Sequence, residues 1–334
     1  MCNSYYKAKP FIKWVGGKGQ LISQLKANLP TVLYEKEFTY IEPFVGGGAM
    51  LFFMLQHFKN IKRVVINDIN KNLTEAYRSV KEQPEELVYS LRHIEKQYLS
   101  IADYEEQRKY YLEMRRHFNE DLLNTTEKTS ILIFLNRTCF NGLYRENSKG
   151  FFNVPFGRYN NPTICNEEVI YADSEILNNF DVQIMNDDFK ETAKYLDSTS
   201  LTFFYFDPPY RPLSSTSSFN SYVKEAFNDN RQKDLALFCQ DISKNDNVFW
   251  MLSNSDCSSK NSNDTFFEDI YNGFNIQRVF ASRMVNANAS KRGKLTELLI
   301  TNYTPNTNKD LTAEELINTQ KAKKTGIITT NYII

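Results

Sequence analysis

The chain has 334 residues, enough for two domains or for one domain with a large insertion. Apolar residues make up 41% of it and charged residues 24%, which supplies a buried core and excludes global disorder. Lys+Arg and Asp+Glu both number 40. The net charge is therefore zero: a wholly basic nucleic-acid coat is excluded, and an anionic partner must be met by local basic patches.

The first informative segment is 11–20, FIKWVGGKGQ. Trp14 can close over a ligand, Gly16 and Gly17 let the backbone approach, and Lys18 can meet a carboxylate. The spacing of a Walker A loop is absent. Five lysines and no acid lie between Lys7 and Lys26, so a solvated basic arm is the plainer reading. Residues 38–48, FTYIEPFVGGG, read as an apolar strand entering a glycine turn. An apolar helix (49–58) and a second strand (61–68, closed by Asp68) follow. Strand, glycine turn, helix, strand is a βαβ unit and implies an α/β fold with a parallel sheet. Between about 72 and 135 the texture turns to charged segments of helical spacing. Segment 136–162 then has two aromatic-rich arms around ENSKG, which predicts a β-hairpin with a glycine turn. Further buried strands are expected at 180–185, 201–206, 247–253 and 295–301. Ser253–Thr265 reads as a polar loop, and 305–334 as a polar tail with one short helix opened by Thr312 and Glu315.

Five cysteines lie far apart with no CxxC, and His totals three, so a zinc or other metal site is not expected. The N-terminus MCNSYYKAKPF lacks the apolar run of a secretory signal, and no run approaches a membrane span. A reducing, cytoplasmic setting is expected.

Two constellations carry chemistry. Gly46, Gly47 and Gly48 clear side chains from the point where a strand meets a helix N-terminus, so a ligand can reach the backbone N–H groups. Asp68 follows 22 residues after Gly46, a spacing at which an acid accepts from a ribose diol. Several nucleoside-containing cofactors fit these features equally well, as does an ordinary turn. FFYFDPPY at 203–210 decides among them. Its apolar strand delivers Asp207 to a strand end, Pro208 and Pro209 stiffen the turn and leave carbonyls free, and Tyr210 offers an aromatic face. Two acceptors beside a stacking platform suit a planar exocyclic amine, and an adenine in a duplex reaches such a pocket only when flipped out.

In that chain order the sequence resembles the Dam-like, DPPY-type DNA adenine-N6 methyltransferases, GATC-type members above all, over about residues 9–304. The resemblance implies a Rossmann-like S-adenosylmethionine-dependent methyltransferase sheet over 1–71 and 167–304. It also implies a helical target-recognition insertion over 72–166, with its hairpin at 136–160. Residues 305–334 lie outside it. S-adenosyl-L-methionine is the implied cofactor, with Trp14, Lys18, Phe44, Asp68 and Asp207 contacting it and Glu42, Gly46 and Gly48 shaping the loop. Lys18 would face the methionine carboxylate and Asp68 the ribose. Asp188 resembles the acid that meets the cofactor's adenine, with Asp187 beside it open as an alternative. In the hairpin, Arg145 would read an outer guanine, Leu143 and Pro155 a thymine methyl, and Phe140 would wedge into the stack. Asn141 would hold the backbone and Lys13 would contact the other outer guanine, with Arg158 and Tyr159 completing the set. Phe140 stands where the family often has Tyr. The cationic stretch 278–294 is expected to track phosphates. The partner is double-stranded DNA, met by a monomer or weak dimer, alongside a cognate restriction endonuclease in a restriction-modification system. The alternatives are the same chemistry on another GA- or AT-containing site, an RNA or protein amide methyltransferase, and a catalytically silent DNA-binding protein.

Overall fold

The computed structural model describes residues 7–120, 122–212, 227–281 and 295–305. The expected tail helix, most of the Ser-rich loop after Tyr210 and most of the cationic stretch 278–294 lie outside the described residues.

The apolar strands assemble into one seven-stranded sheet. β1 (Phe38–Glu42), β2 (Ile61–Asn67), β3 (Val182–Met185), β4 (Leu201–Phe206) and β5 (Val248–Ser255) are parallel, and β6 (Asn275–Ala281) and β7 (Leu295–Thr301) close one edge antiparallel. The order is β3-β2-β1-β4-β5-β7-β6. Strand alternation sends side chains to both faces, and both faces are covered. Tyr40, Val64, Ile66, Phe203 and Tyr205 join the core on one side. Ile41, Val65, Phe204, Phe206 and Trp250 join the core on the other.

The first face packs against α2 (Ala49–His57), α3 (Lys71–Glu82) and α7 (Glu167–Asn178), and the second against α8 (Asp229–Ile242) and α9 (Phe266–Ile270). α1 (Ile22–Ala27) precedes β1. The charged texture of 72–135 is helical as expected: after α3 come α4 (Pro84–Ser100), α5 (Tyr104–Glu120) and α6 (Thr125–Thr138). Pro84 starts α4 without losing a needed N–H. A reciprocal capping box between Asn124 and Glu127 starts α6. Leu87, Leu91, Tyr111, Ile133 and Phe134 of these helices belong to the same core cluster as the sheet's first face. Among the described residues no helix is long and apolar enough to cross a membrane.

Three expectations need correction. Ser253–Ser255 are the buried end of β5 rather than the start of a loop, because their polar groups find partners inside: Ser253 Oγ lies 3.0 Å from the Tyr205 hydroxyl and Ser255 Oγ donates to the Arg211 carbonyl at 2.7 Å. The segment 275–281, not recognised as a strand, is β6 at the sheet edge. Arg278, counted among phosphate-tracking cations, is bound into the protein. Its guanidinium donates to Asp256 at 3.0 Å and to Glu268 at 2.8 Å.

Candidate active site

β1 lies between β2 and β4, so chain connections leave it in opposite directions and a crevice opens beyond the carboxyl ends of β1 and β4. Both sequence constellations emerge there. The turn 43–48 leaves β1 and the segment 207–210 leaves β4, on hydrogen-bonded neighbouring strands.

The turn is held from below. Asn67, at the end of β2, donates its amide to the carbonyls of Pro43 and Asp187, each at 3.0 Å, tying three strand ends together. Asp68 accepts from Gly46 N at 3.1 Å and from Asn70 N at 2.9 Å. Burial pushes its carboxyl up to about 6 while those two N–H groups pull it down. Gly48 stands before α2 with φ 77°, a left-handed conformation that glycine adopts freely. A Cβ there would lie 2.4 Å from the Tyr77 hydroxyl, which donates to Gly46 O at 3.0 Å. Trp14 covers the other glycines: a Cβ on Gly46 would meet its ring at 3.0 Å. Trp14 in turn stacks on Tyr144 of the 136–160 segment, with centroids 5.0 Å apart. Glu42 is buried beneath the turn, accepts from Tyr40 Oη at 2.7 Å, and is pushed well above the carboxylate range by that burial.

Phe44 packs with Phe189 and Phe227 at centroid distances of 5.4 and 5.5 Å. Asp188 borders this aromatic group, accepts from Lys190 N and pairs with Arg231 of α8. The Asp187 carboxylate lies 4.0 Å from Lys194 Nζ.

Across the crevice, Lys18 Nζ lies 2.8 Å from Asp207 Oδ1, donates to Gly16 O at 2.6 Å and sits 4.5 Å above the centre of the Tyr210 ring. Thus Lys18, expected near a cofactor carboxylate, is paired with the residue expected to meet the substrate amine. Burial raises Asp207 to about 6, Lys18 lowers it and Glu297 raises it. The Tyr210 hydroxyl donates to Glu297 Oε2 at 2.6 Å. Pro209 O is taken by Gln232 of α8 at 3.0 Å, whereas Pro208 O has no donor among the described residues.

The expected hairpin at 136–160 is a looser ribbon than a regular hairpin. Its arms meet at two isolated bridges, Cys139 with Phe156 and Glu146 with Phe152, around a turn closed by Gly150 N to Asn147 O. Phe140, Asn141, Pro155 and Arg158 are exposed, with Asn141 at φ 57°. Arg145 is gripped by Asn153, Nε to Oδ1 at 2.7 Å and Nη2 to the carbonyl at 3.2 Å. Lys13 lies over the Tyr159 ring, 5.3 Å from its centre, while Arg158 lies over Tyr104. Buried Asn136 joins the N-terminal arm to the 136–160 segment by bonding Lys13 N, Lys13 O and Gly142 O. Leu143 is half-buried against the core.

Glu297, Tyr77 and Asn136 escaped the sequence reading. Only Glu297 left a usable signal, as the single acid inside the apolar strand LTELLIT.

This crevice and sheet define a Rossmann-like methyltransferase, and residues 14–285 match the family model of D12 class N6 adenine-specific DNA methyltransferases. The chain belongs to that family. It is 45% identical over 301 residues to the type II methyltransferase M.MjaIII of Methanocaldococcus jannaschii, covering 89% of this chain and all of the relative. It is 40% identical to the type II methyltransferase M1.LlaDCHI of Lactococcus lactis (88% of this chain, 95% of the relative). It is 33% identical to the DNA adenine methylase of Haemophilus influenzae (88% and 93%).

Proposed function

We propose that the enzyme transfers a methyl group from S-adenosyl-L-methionine to N6 of an adenine flipped out of duplex DNA, with GATC as its site. The observation that supports this most directly is the pairing of Asp207 and Lys18 over Tyr210, facing the glycine bend of the neighbouring strand. A cofactor with a nucleoside and an amino-acid end fits the other half of the crevice. The glycines there leave no room for a Cβ beneath Trp14 or beside Tyr77, and Phe44, Phe189 and Phe227 offer apolar faces beside Asp188. Trp14, Phe44, Asp68 and Asp188 would hold it, and its sulfonium supplies an already activated methyl.

The protein's own contribution is geometric. Asp207 Oδ and Pro208 O accept hydrogen bonds from the two N6–H groups, drawing the nitrogen toward tetrahedral geometry and aiming its lone pair. Positioning of this kind can supply ~7–11 kcal/mol of barrier lowering. Tyr210 stacks on the base, worth about 1–3 kcal/mol. Lys18 holds Asp207 Oδ1, leaving Oδ2 for the amine, and would be the residue to meet the cofactor's methionine carboxylate. Arg145 reads an outer guanine, Leu143 and Pro155 contact a thymine methyl, Phe140 wedges into the stack, Asn141 holds the backbone, and Lys13 contacts the other outer guanine beside Arg158 and Tyr159. Residues 72–166 form the recognition unit. The type II names of two relatives support a restriction-modification role beside an endonuclease.

The test is to incubate purified protein with labelled S-adenosylmethionine and unmethylated duplex DNA and to map N6-methyladenine. Methylation confined to GATC is expected. Methylation at another short site overturns the specificity, and no N6-methyladenine on any sequence overturns the activity.

A further inference from the structure

We propose that Glu297 is a positioning residue of the adenine pocket: reaching in from β7, its carboxylate fixes the Tyr210 ring in the plane on which the target base stacks. The inference rests on the proposed assignment of Asp207–Tyr210 as that pocket. A phenol ring on a turn has freedom at two side-chain torsions, and Lys18 meets it over its face, 4.5 Å from the ring centre, which does not set its plane. The polar atom that pins the ring is the hydroxyl, and it donates to Glu297 Oε2 at 2.6 Å, a charge-assisted bond. Burial, first of all, holds that hydroxyl well above the usual tyrosine range, so it stays a donor. Glu297 is in turn held by backbone pairing on both sides, opposite Ser255 of β5 and Val279 of β6. A carboxylate on a central strand, beside buried Leu298, Leu299 and Ile300, costs stability unless it has a partner. Its partner is a pocket residue, whereas neighbouring Thr296 turns to Asp256.

Glu297 also acts on Asp207 through its charge. The groups that face Asp207 are Lys18 from the N-terminal loop, Glu42 from β1, Tyr205 from β4, Tyr210 from the turn and Glu297 from β7. Lys18 lowers the Asp207 pKa and Glu297 raises it, so losing the Glu297 charge moves it down.

The experiment measures methyl transfer from labelled S-adenosylmethionine to unmethylated plasmid DNA by Glu297→Ala, Glu297→Gln, Tyr210→Phe, the Glu297→Ala/Tyr210→Phe double variant and Asp207→Ala. Glu297→Ala and Tyr210→Phe should each lower kcat about tenfold, with the cofactor KM unchanged. The double variant should be no worse than either single change. Glu297→Gln keeps an acceptor and should recover most of kcat. The acid limb of kcat/KM should move to lower pH in both Glu297 variants and stay in place in Tyr210→Phe. A wild-type kcat in Glu297→Ala, or losses that multiply in the double variant, overturns the proposal. If Asp207→Ala is inactive while Glu297→Ala is normal, only the role of Glu297 fails. If Asp207→Ala retains the normal rate, the pocket assignment itself fails and this inference with it.

Discussion

Asp207 stands where opposing influences meet, and in the proposed reaction its protonation state decides whether it can accept a hydrogen bond from the adenine amine. Its carboxyl is held near 6. The carboxylate is the working form, so kcat/KM should fall as pH drops through about 6, the free-enzyme value that this parameter reports. Lys18 lowers that pKa, so Lys18→Met should move the acid limb of the rate profile to higher pH, the opposite direction to the Glu297 variants. A limb that stays in place in Lys18→Met would show that some other group sets it. Gly48 is a position where stability rather than rate is at stake. Gly48→Ala must hold a side chain at φ 77°, costing about 1–2 kcal/mol. It also drives a methyl into the Tyr77 hydroxyl, for about 1–3 kcal/mol more. Denaturant unfolding should show the two losses together, and adding Tyr77→Phe should recover part of the second by removing the oxygen.

Among the elements, those that carry their chemistry in one continuous stretch could be read from the residues. FFYF is apolar enough to be a strand buried on both faces, and DPPY follows it directly. EPFVGGG likewise places its glycines at a strand end with an apolar helix after them. The helices of 72–135 announced themselves by charge and spacing. What escaped was structure whose meaning depends on distant partners. Ser253, Asn254 and Ser255 look like loop residues until Tyr205, Gln232 and Arg211 supply their hydrogen bonds from elsewhere in the chain. β6 begins polar and lies at the sheet edge, so NIQRVFA offers little apolar signal, and Arg278 looked available because Asp256 and Glu268 are remote in sequence. Asn136 shows the same limit: inside an apolar helix it reads as an anomaly, yet it couples α6 to both the lysine-rich arm and the ribbon that follows it. Asn136→Ala would strand Lys13 N, Lys13 O and Gly142 O, of which the Gly142 bond is buried, so the cost is about 1–3 kcal/mol by the usual penalty for a buried unpaired group. The variant should melt earlier, and in a filter-binding assay below its melting point it should bind duplex DNA more weakly. Unchanged affinity would show that the two surfaces act independently.

Over the whole molecule, the helical segment and the catalytic sheet share one hydrophobic cluster, so the frame that holds the crevice depends on joints between distant pieces of chain. One such joint carries a buried ionisable group. Asp173 of α7 is fully buried and accepts from Lys9 N at 2.9 Å, tying the N-terminal arm to the sheet's first face. Its second oxygen has no partner among the described residues. Burial lifts its carboxyl from 3.8 to about 8. Through most of that interval the folded protein keeps this proton while the unfolded chain releases it, so folding takes up a proton and stability falls as pH rises. The contribution is fully present below the unfolded value and is lost on approach to the folded one, with a slope nearing about 1.4 kcal/mol per pH unit. An asparagine side chain in place of this carboxyl would mimic the protonated acid without titrating. Urea unfolding of the Asp173→Asn variant should therefore match wild type at the acid end of the window. It should then gain on wild type steadily toward about pH 8, where the wild-type carboxyl must either keep its proton or ionise without a partner. Parallel stability curves for the two proteins would mean that Asp173 is charged in the fold and held by contacts other than Lys9.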